Sequence, residues 1–156
     1  LWPVETGGGD LRQALGALAA TRSETGGVPV TLEFNPHCER CRCANAAHVH
    51  SIAREAVVNA IKHARAQCIV VRLDCEAGAR TTLTVIDDGI GPQVRTPVER
   101  RTHPRGGLGL RIMAYRARMV GGSFRVEASP EGGTRVIATL PCHASNKAPE
   151  CGEAGA

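Results

Sequence analysis

The chain has 156 residues and carries 19 Lys and Arg against 15 Asp and Glu, a formal charge of +4. Its length suits one domain, a hydrophobic content of 42% excludes disorder of the whole chain, and four aromatic residues supply no stacking platform for nucleic acid. No apolar run approaches the roughly 18 residues of a membrane span and no signal-peptide pattern opens the chain, so we expect a cytoplasmic domain, whether or not a longer parent protein is membrane-anchored.

The first half of the chain predicts a helix, a strand and a second, longer helix. Asp10 can cap a helix through about Ala20. Alternating apolar residues over 28–34 predict a half-buried strand. A polar loop follows, and Asn45 can then cap a long helix that runs to about Ala66.

The second half predicts two hairpins with a helix between them. The strand pairs cover 68–74 with 81–87, and 123–129 with 135–140. A loop of about twenty residues precedes a helix over 108–120, and a loop of that length in a compact domain is typical of a functional lid. We expect 92–105 to be a mobile lid whose arginines close over phosphates. One face of the helix is predicted to pack on the core through Leu110, Met113, Ala114, Ala117 and Val120.

This order of elements predicts an α+β fold. The expected architecture is a two-layer α/β sandwich, in which helices cover one face of a mostly antiparallel mixed sheet.

The long helix has two different faces at about 100° per residue. The core stripe consists of Ala53, Val57, Ala60, Ile61 and Ala64, and the polar stripe consists of Glu55, Asn59, Lys62 and His63. An amide oxygen at Asn59 is a suitable ligand for Mg²⁺, and Lys62 one turn further on can meet phosphate oxygens. A solvated helix face is the alternative interpretation.

Two glycine clusters sharpen this hypothesis. Asp87 ends a predicted strand, where a buried carboxylate can accept a hydrogen bond from an exocyclic amine, and the glycines that follow allow close approach to a flat ring. The stretch 106–110 reads Gly-Gly-Leu-Gly-Leu at a helix start, where free backbone N–H groups can cradle phosphate. An ordinary turn and a structural cap are the respective alternatives.

Read in order, four motifs stand along the chain: Glu55-x3-Asn59-x2-Lys62-His63, Asp87-x-Gly89-x-Gly91, Gly107-x-Gly109 and Gly133-Thr134. This set resembles the ATP-binding catalytic domain of bacterial sensor histidine kinases, in the Bergerat-fold superfamily shared with gyrase B, the Hsp90 chaperones and MutL. The stretches REAVVNAIKHA, GLGLRIMAYRARMVGG and GGTRVIATLP look like the branch with a short ATP lid. The resemblance covers roughly residues 10–141.

On the phosphate side, the resemblance implies that Asn59 coordinates the Mg²⁺ that bridges the phosphates. Glu55 is then either a general base or a residue that orients metal-bound water. Lys62 contacts phosphates, and His63 occupies the adjacent polar position.

On the adenine side and in the lid, the resemblance assigns the remaining residues. Asp87 binds the adenine amine and Thr134 supports the hydrogen bonds there. The base pocket is shaped by Gly89 and Gly91. The hinge and phosphate end of the lid comprise Gly107, Leu108, Gly109 and Leu110.

The resemblance also implies partners: ATP, a dimerisation domain whose histidine receives the γ-phosphate, and a response regulator. Nothing in the chain matches the phosphoacceptor hairpin, so we expect 1–9 to be a linker from it, 10–141 the catalytic domain and 142–156 a flexible tail. The isolated domain is then a monomer. The alternatives are an ATP hydrolase or anti-sigma-type serine kinase of the same superfamily, and a non-catalytic nucleotide-responsive module.

The seven cysteines have irregular spacing, which indicates a reducing compartment and mostly reduced thiols. Cys38, Cys41 and Cys43 lie together before the long helix, with His48 and His50 nearby. A zinc or redox site is one interpretation. A variable loop is the other, because no matching downstream cysteine pair follows at ordinary spacing.

Overall fold

The computed structural model describes residues 8–39, 43–76, 79–92 and 107–142. The helices there are α1 (Gly8–Gly26), α2 (Ala46–His63) and α3 (Leu108–Met119), with a short 3₁₀ helix at Pro36–Glu39. The strands are β1 (Val30–Phe34), β2 (Ile69–Cys75), β3 (Arg80–Asp87), β4 (Ser123–Ala128) and β5 (Thr134–Pro141). The α+β prediction is confirmed. No helix in these ranges has the length and hydropathy of a membrane span.

The strands form one five-stranded mixed sheet in the order β1-β2-β3-β5-β4. Only the β1–β2 pair is parallel among the pairings of the described strands. The sheet is therefore mostly antiparallel, as predicted, and β3 and β5 are neighbours although α3 and β4 separate them in sequence.

Alternate residues of β2 and β3 line the buried face of the sheet. Directly opposite pairs on this face are Ile69 with Asp87, Val71 with Val85, Leu73 with Leu83, and Cys75 with Thr81. Full burial of an Ile, Val or Leu side chain stabilises the fold by roughly 1.5–3 kcal/mol. The apolar row of β3 ends in a polar side chain at each end, the Asp87 carboxylate and the Thr81 hydroxyl.

Helix α2 lies at the centre of the core. Its buried residues are Ala46, Val49, Ile52, Ala53, Ala56, Val57 and Ala60. The predicted core stripe is confirmed except at Ile61, which is half-buried. The opposite stripe leaves Glu55 and Asn59 half-buried and Lys62 and His63 exposed.

The predicted cap of α1 is wrong, and that of α2 is right in position but lacks the side-chain hydrogen bond. Helix α1 begins at Gly8, so Asp10 lies inside it rather than at its cap. Asn45 precedes α2 but makes no side-chain cap; its Nδ2 instead donates to the Pro141 carbonyl at 2.8 Å and ties the helix start to the end of β5. The end of α2 comes at His63 rather than Ala66, and Arg65 adopts a positive φ of 52° just beyond it.

Helix α3 matches its predicted core face only in part. Met113 and Ala117 are fully buried and Ala114 and Val120 are half-buried, whereas Leu110 is 38% exposed. The reason is that the first turn of α3 packs beside the polar stripe of α2 through Gly109 rather than on the apolar core. The predicted turn at Gly78, nearly all of the predicted lid, Cys41 and the C-terminal tail after Cys142 lie outside the described residues.

Two adjacent glycines before β5 share a positive φ but differ in how closely other backbone approaches them, so substitutions there distinguish backbone strain from steric overlap. Gly132 and Gly133 have φ of +96° and +87°, but a Cβ on Gly133 would overlap the Asp87 carbonyl oxygen, whereas one on Gly132 meets nothing within 4 Å. We expect Gly133→Ala to lower the free energy of unfolding by about 3 kcal/mol and Gly132→Ala by about 1 kcal/mol, measured by urea unfolding. Equal losses would contradict the close approach of β5 to Asp87.

Candidate functional site

Asp87 is 7% exposed at the end of β3, and one of its two carboxylate oxygens is held by backbone. Oδ1 accepts the N–H of Gly89 at 2.9 Å and the N–H of Thr134 at 3.2 Å. Within the described ranges, Oδ2 makes no hydrogen bond to protein. A carboxylate oxygen is an acceptor only, so this second oxygen suits a ligand N–H group.

The chain after Asp87 approaches other backbone so closely that a side chain does not fit at Gly89 and would be strained at Gly91. A Cβ on Gly89 would overlap the Ala64 carbonyl oxygen, and the N–H of Ile90 donates to that same oxygen at 2.9 Å. Gly91 has φ of +81°, and a Cβ there would lie 3.3 Å from the Gly133 carbonyl oxygen. The glycine motifs therefore join the end of α2 to the end of β3 and to the start of β5.

The exposed Asp88 carboxylate binds the connection between α2 and β2, a role that the sequence pattern did not indicate. Its Oδ1 accepts the N–H of Gln67 at 2.8 Å and the N–H of Cys68 at 2.9 Å. These bonds, with that to Cys68 the larger, hold the pKa of the Asp88 carboxyl below its ordinary value of 3.8. The Asp-Asp-Gly run is a local signal for such side-chain-to-backbone bonding, but its partners come from a connection 20 residues earlier.

The polar stripe of α2 meets the start of α3. A Cβ on Gly109 would overlap Glu55 Oε1 and lie 3.1 Å from Asn59 Nδ2. Gly107 precedes α3 with φ of +126°, and no side chain of the described residues caps that helix. The N–H groups of an uncapped first turn are available to an anion. The side-chain oxygens of Glu55 and Asn59, which can bind a metal ion, thus lie beside the free N–H groups of the first turn of α3.

Four further predicted site residues make no hydrogen bond to Asp87, Glu55 or Asn59 in the described ranges. Lys62 and His63 are exposed in the last turn of α2. In the first turn of α3, Leu108 is 63% exposed and Leu110 is 38% exposed. Their contacts with a ligand stay predictions.

The zinc interpretation of the cysteine loop gains no support from the described part of the chain. No group of three or more His, Cys, Asp or Glu side chains there is placed to hold a metal ion. Burial, followed by the nearby Arg54 guanidinium, lowers the pKa of His50 below its ordinary value of 6.5.

With this geometry in hand, comparison with known proteins gives the family. Residues 44–144 match the family described as histidine kinase-, DNA gyrase B-, and HSP90-like ATPase. This match covers more than half of the chain, so the chain belongs to that ATPase family. The resemblance to histidine kinases that the four motifs indicated is confirmed.

Sensor proteins are among the relatives. The nitrate/nitrite sensor protein NarX of Escherichia coli is 36% identical over 130 residues, which cover 83% of this chain and 21% of NarX. A NarQ homologue of Haemophilus influenzae is 32% identical over 135 residues, 84% of this chain and 21% of that protein. The chain therefore spans about a fifth of these relatives.

Solved structures agree with this assignment. The ATP-binding domain of PrrB from Mycobacterium tuberculosis superposes with a TM-score of 0.61 at 25% identity, covering 84% of this chain and 93% of that one. Full-length ShkA shares the fold with a TM-score of 0.63 at 21% identity, covering 88% of this chain and 31% of ShkA.

The lowered pKa of Asp88 gives a prediction for stability against pH. The folded state favours the carboxylate, so its contribution is present above the ordinary pKa of 3.8 and is lost as pH falls through the lower folded pKa. Asp88→Ala should therefore lower Tm at neutral pH, and the gap to the wild type should shrink on acidification, as followed by circular dichroism. Asp74→Ala on the outer face of β2 is the control. A gap independent of pH would contradict the role of the carboxylate.

Proposed function

We propose that this chain binds Mg²⁺-ATP and donates the γ-phosphate to a histidine on a separate dimerisation domain, as the catalytic domain of a two-component sensor histidine kinase. The observation that carries the proposal is that two kinds of binding group occur in the same part of the fold. The Asp87 carboxylate has one oxygen left for a ligand, and the Glu55–Asn59 stripe lies against an uncapped helix start.

Adenine recognition rests on Asp87. Its Oδ2 would accept the exocyclic amine, while the two backbone bonds to Oδ1 keep the carboxylate in one orientation. A buried hydrogen bond to a charged group contributes roughly 1.5–3 kcal/mol, enough to select the base. Gly89 and Gly91 would shape the base pocket by letting the chain after Asp87 pack against the Ala64 and Gly133 carbonyls. Thr134 donates its N–H to Oδ1 rather than to the base.

Phosphate binding rests on α2 and on the start of α3. The oxygen donors of Asn59 and Glu55 fit Mg²⁺, which prefers amide, carboxylate and water oxygens, and both side chains are half-exposed. When bound, the metal supplies neutralisation of the phosphate charge. Lys62, His63 and the Gly107–Leu110 turn would surround the phosphates. The fold neighbour ShkA was solved with AMPPNP, which supports a nucleotide as the ligand.

Phosphoryl transfer needs mainly positioning and charge stabilisation, and these residues supply both. Asn59 would hold the phosphates in place from α2, and the N–H groups of α3 would bind the phosphate oxygens. Glu55 would orient water or the incoming imidazole, or serve as the base. We further propose that 92–105 closes over the phosphates, and that the isolated domain is a monomer.

The acceptor histidine and the regulator belong to partners in this proposal. A dimerisation domain would present the histidine, and a cytoplasmic response regulator would receive the phosphate from it. Residues 1–9 would then link the domain to that hairpin, with 142–156 as a tail.

The test joins this domain to the phosphoacceptor hairpin of the NarX relative and follows transfer from γ-labelled ATP. The wild type should give acid-labile phosphohistidine. Asn59→Ala should lower the Mg²⁺-dependent transfer rate by about 100-fold or more, because the phosphates lose their positioning. Arg54→Ala, an exposed change on another side of α2, should leave it unchanged.

Other products would contradict the proposal in distinct ways. Phosphate released to water without phosphohistidine indicates an ATP hydrolase, and acid-stable phosphoserine on an added substrate protein indicates a serine kinase. Binding of ATP by the folded domain without transfer to any acceptor indicates a non-catalytic nucleotide-responsive module, and failure to bind ATP in a calorimeter would contradict nucleotide binding itself.

A further inference from the structure

Buried cysteines gather at the end of the sheet opposite Asp87. Cys75 faces Thr81 across β2 and β3, six residues along β3 from the Ile69–Asp87 pair. The cysteines there are Cys38, Cys43, Cys75 and Cys142, each 2% exposed. The proposed function uses none of them.

Two of these sulfurs are in contact although 37 residues separate them in sequence. Cys38 Sγ lies 3.0 Å from Cys75 Sγ, and both side chains are thiols in this structure. Cys38 Sγ also lies 2.9 Å from Asn35 Oδ1 and 3.1 Å from the Leu73 carbonyl oxygen. Its single proton therefore has three competing acceptors, one of them the other sulfur.

Asn35 holds the two cysteines in this arrangement. Its Oδ1 accepts the Cys75 N–H at 3.1 Å, and its Nδ2 donates to the Cys75 carbonyl at 3.2 Å. Its own carbonyl accepts the Cys38 N–H at 3.0 Å. Both backbones are thus bonded to one residue, and this leaves the sulfurs little freedom to separate.

We propose that Cys38 and Cys75 form a redox-active dithiol that small peroxides convert to an intramolecular disulfide. An S–S bond is about 2.05 Å long, so the sulfurs at 3.0 Å need to approach by about 1 Å. Asn35 has already brought together chain segments that are far apart in sequence. The inference is independent of nucleotide binding.

The chemistry balances with hydrogen peroxide as the oxidant. One thiol, as its thiolate, attacks a peroxide oxygen, and the O–O bond breaks to give a sulfenic acid and one water. The second sulfur then displaces the sulfenic oxygen, which leaves with a proton as a second water. The two sulfurs lose two electrons in total and the peroxide gains them, and an external dithiol reverses the reaction by exchange.

Burial sets the conditions of this reaction. Because both sulfurs are almost fully covered, an oxidant reaches them only through local opening around the four-residue 3₁₀ helix that carries Cys38. Among the cysteines that the structure describes, Cys68 is half-buried and therefore more exposed than Cys38 and Cys75. Selective reaction of the buried pair over Cys68 would thus reflect proximity rather than exposure.

The test maps disulfides in the reduced, folded protein after treatment with hydrogen peroxide. Remaining thiols are alkylated in denaturant, and the digest is read by mass spectrometry. We expect a peptide that links Cys38 to Cys75 as the dominant disulfide, reversed by dithiothreitol and formed about tenfold faster in folded protein than in urea. It should persist in Cys68→Ala and vanish in Cys75→Ala.

Three results would overturn the proposal, and none depends on the folding of a variant. The first is recovery of both cysteines as alkylated thiols while other cysteines are oxidised. The second is a dominant disulfide to a different cysteine. The third is stoichiometric zinc in the purified protein that protects these thiols until a chelator removes it.

Discussion

One carboxylate oxygen organises the site end of this domain. Asp87 Oδ1 binds the N–H groups of Gly89 and Thr134, so it joins the residues that leave β3 to the residue that begins β5. A buried carboxylate without partners destabilises a fold by several kcal/mol. The two backbone hydrogen bonds to Oδ1 offset part of that cost. A hydrogen bond from water or a ligand to Oδ2 would offset the rest. The glycine at 133 is needed because β5 passes directly over the Asp87 carbonyl.

Helix α2 extends this constraint to Glu55 and Asn59. Its apolar stripe is fully buried at Val49, Ile52 and Val57, which fixes the rotation of the helix about its axis. Because rotation is fixed, Glu55 and Asn59 face the start of α3, where a Cβ at Gly109 would displace the Glu55 carboxylate. The Ala64 carbonyl then binds the chain after Asp87. Core packing therefore sets the distance between Asp87 and the Glu55–Asn59 stripe.

The sequence could predict the features that depend on local pattern. Alternation over 28–34 predicted the half-buried strand β1, the helical period predicted both stripes of α2, and four ordered motifs indicated the family. The sequence could not predict hydrogen bonds between residues that are far apart along the chain. The Asn45 amide binds Pro141 rather than its own helix, and Asp88 binds the connection before β2. Both outcomes depend on which strands become neighbours, and no local window contains that information.

The measurement that tests the role of Asp87 most directly compares ADP with inosine diphosphate by titration calorimetry on the wild type. Hypoxanthine carries a carbonyl oxygen where adenine carries its exocyclic amine, so it would set one acceptor against another at Asp87 Oδ2. Loss of that bond and the repulsion should weaken binding by roughly 10- to 100-fold. Asp87→Asn, whose amide can donate, should narrow the difference. Equal affinity of the wild type for both nucleotides would contradict recognition of the base through Asp87.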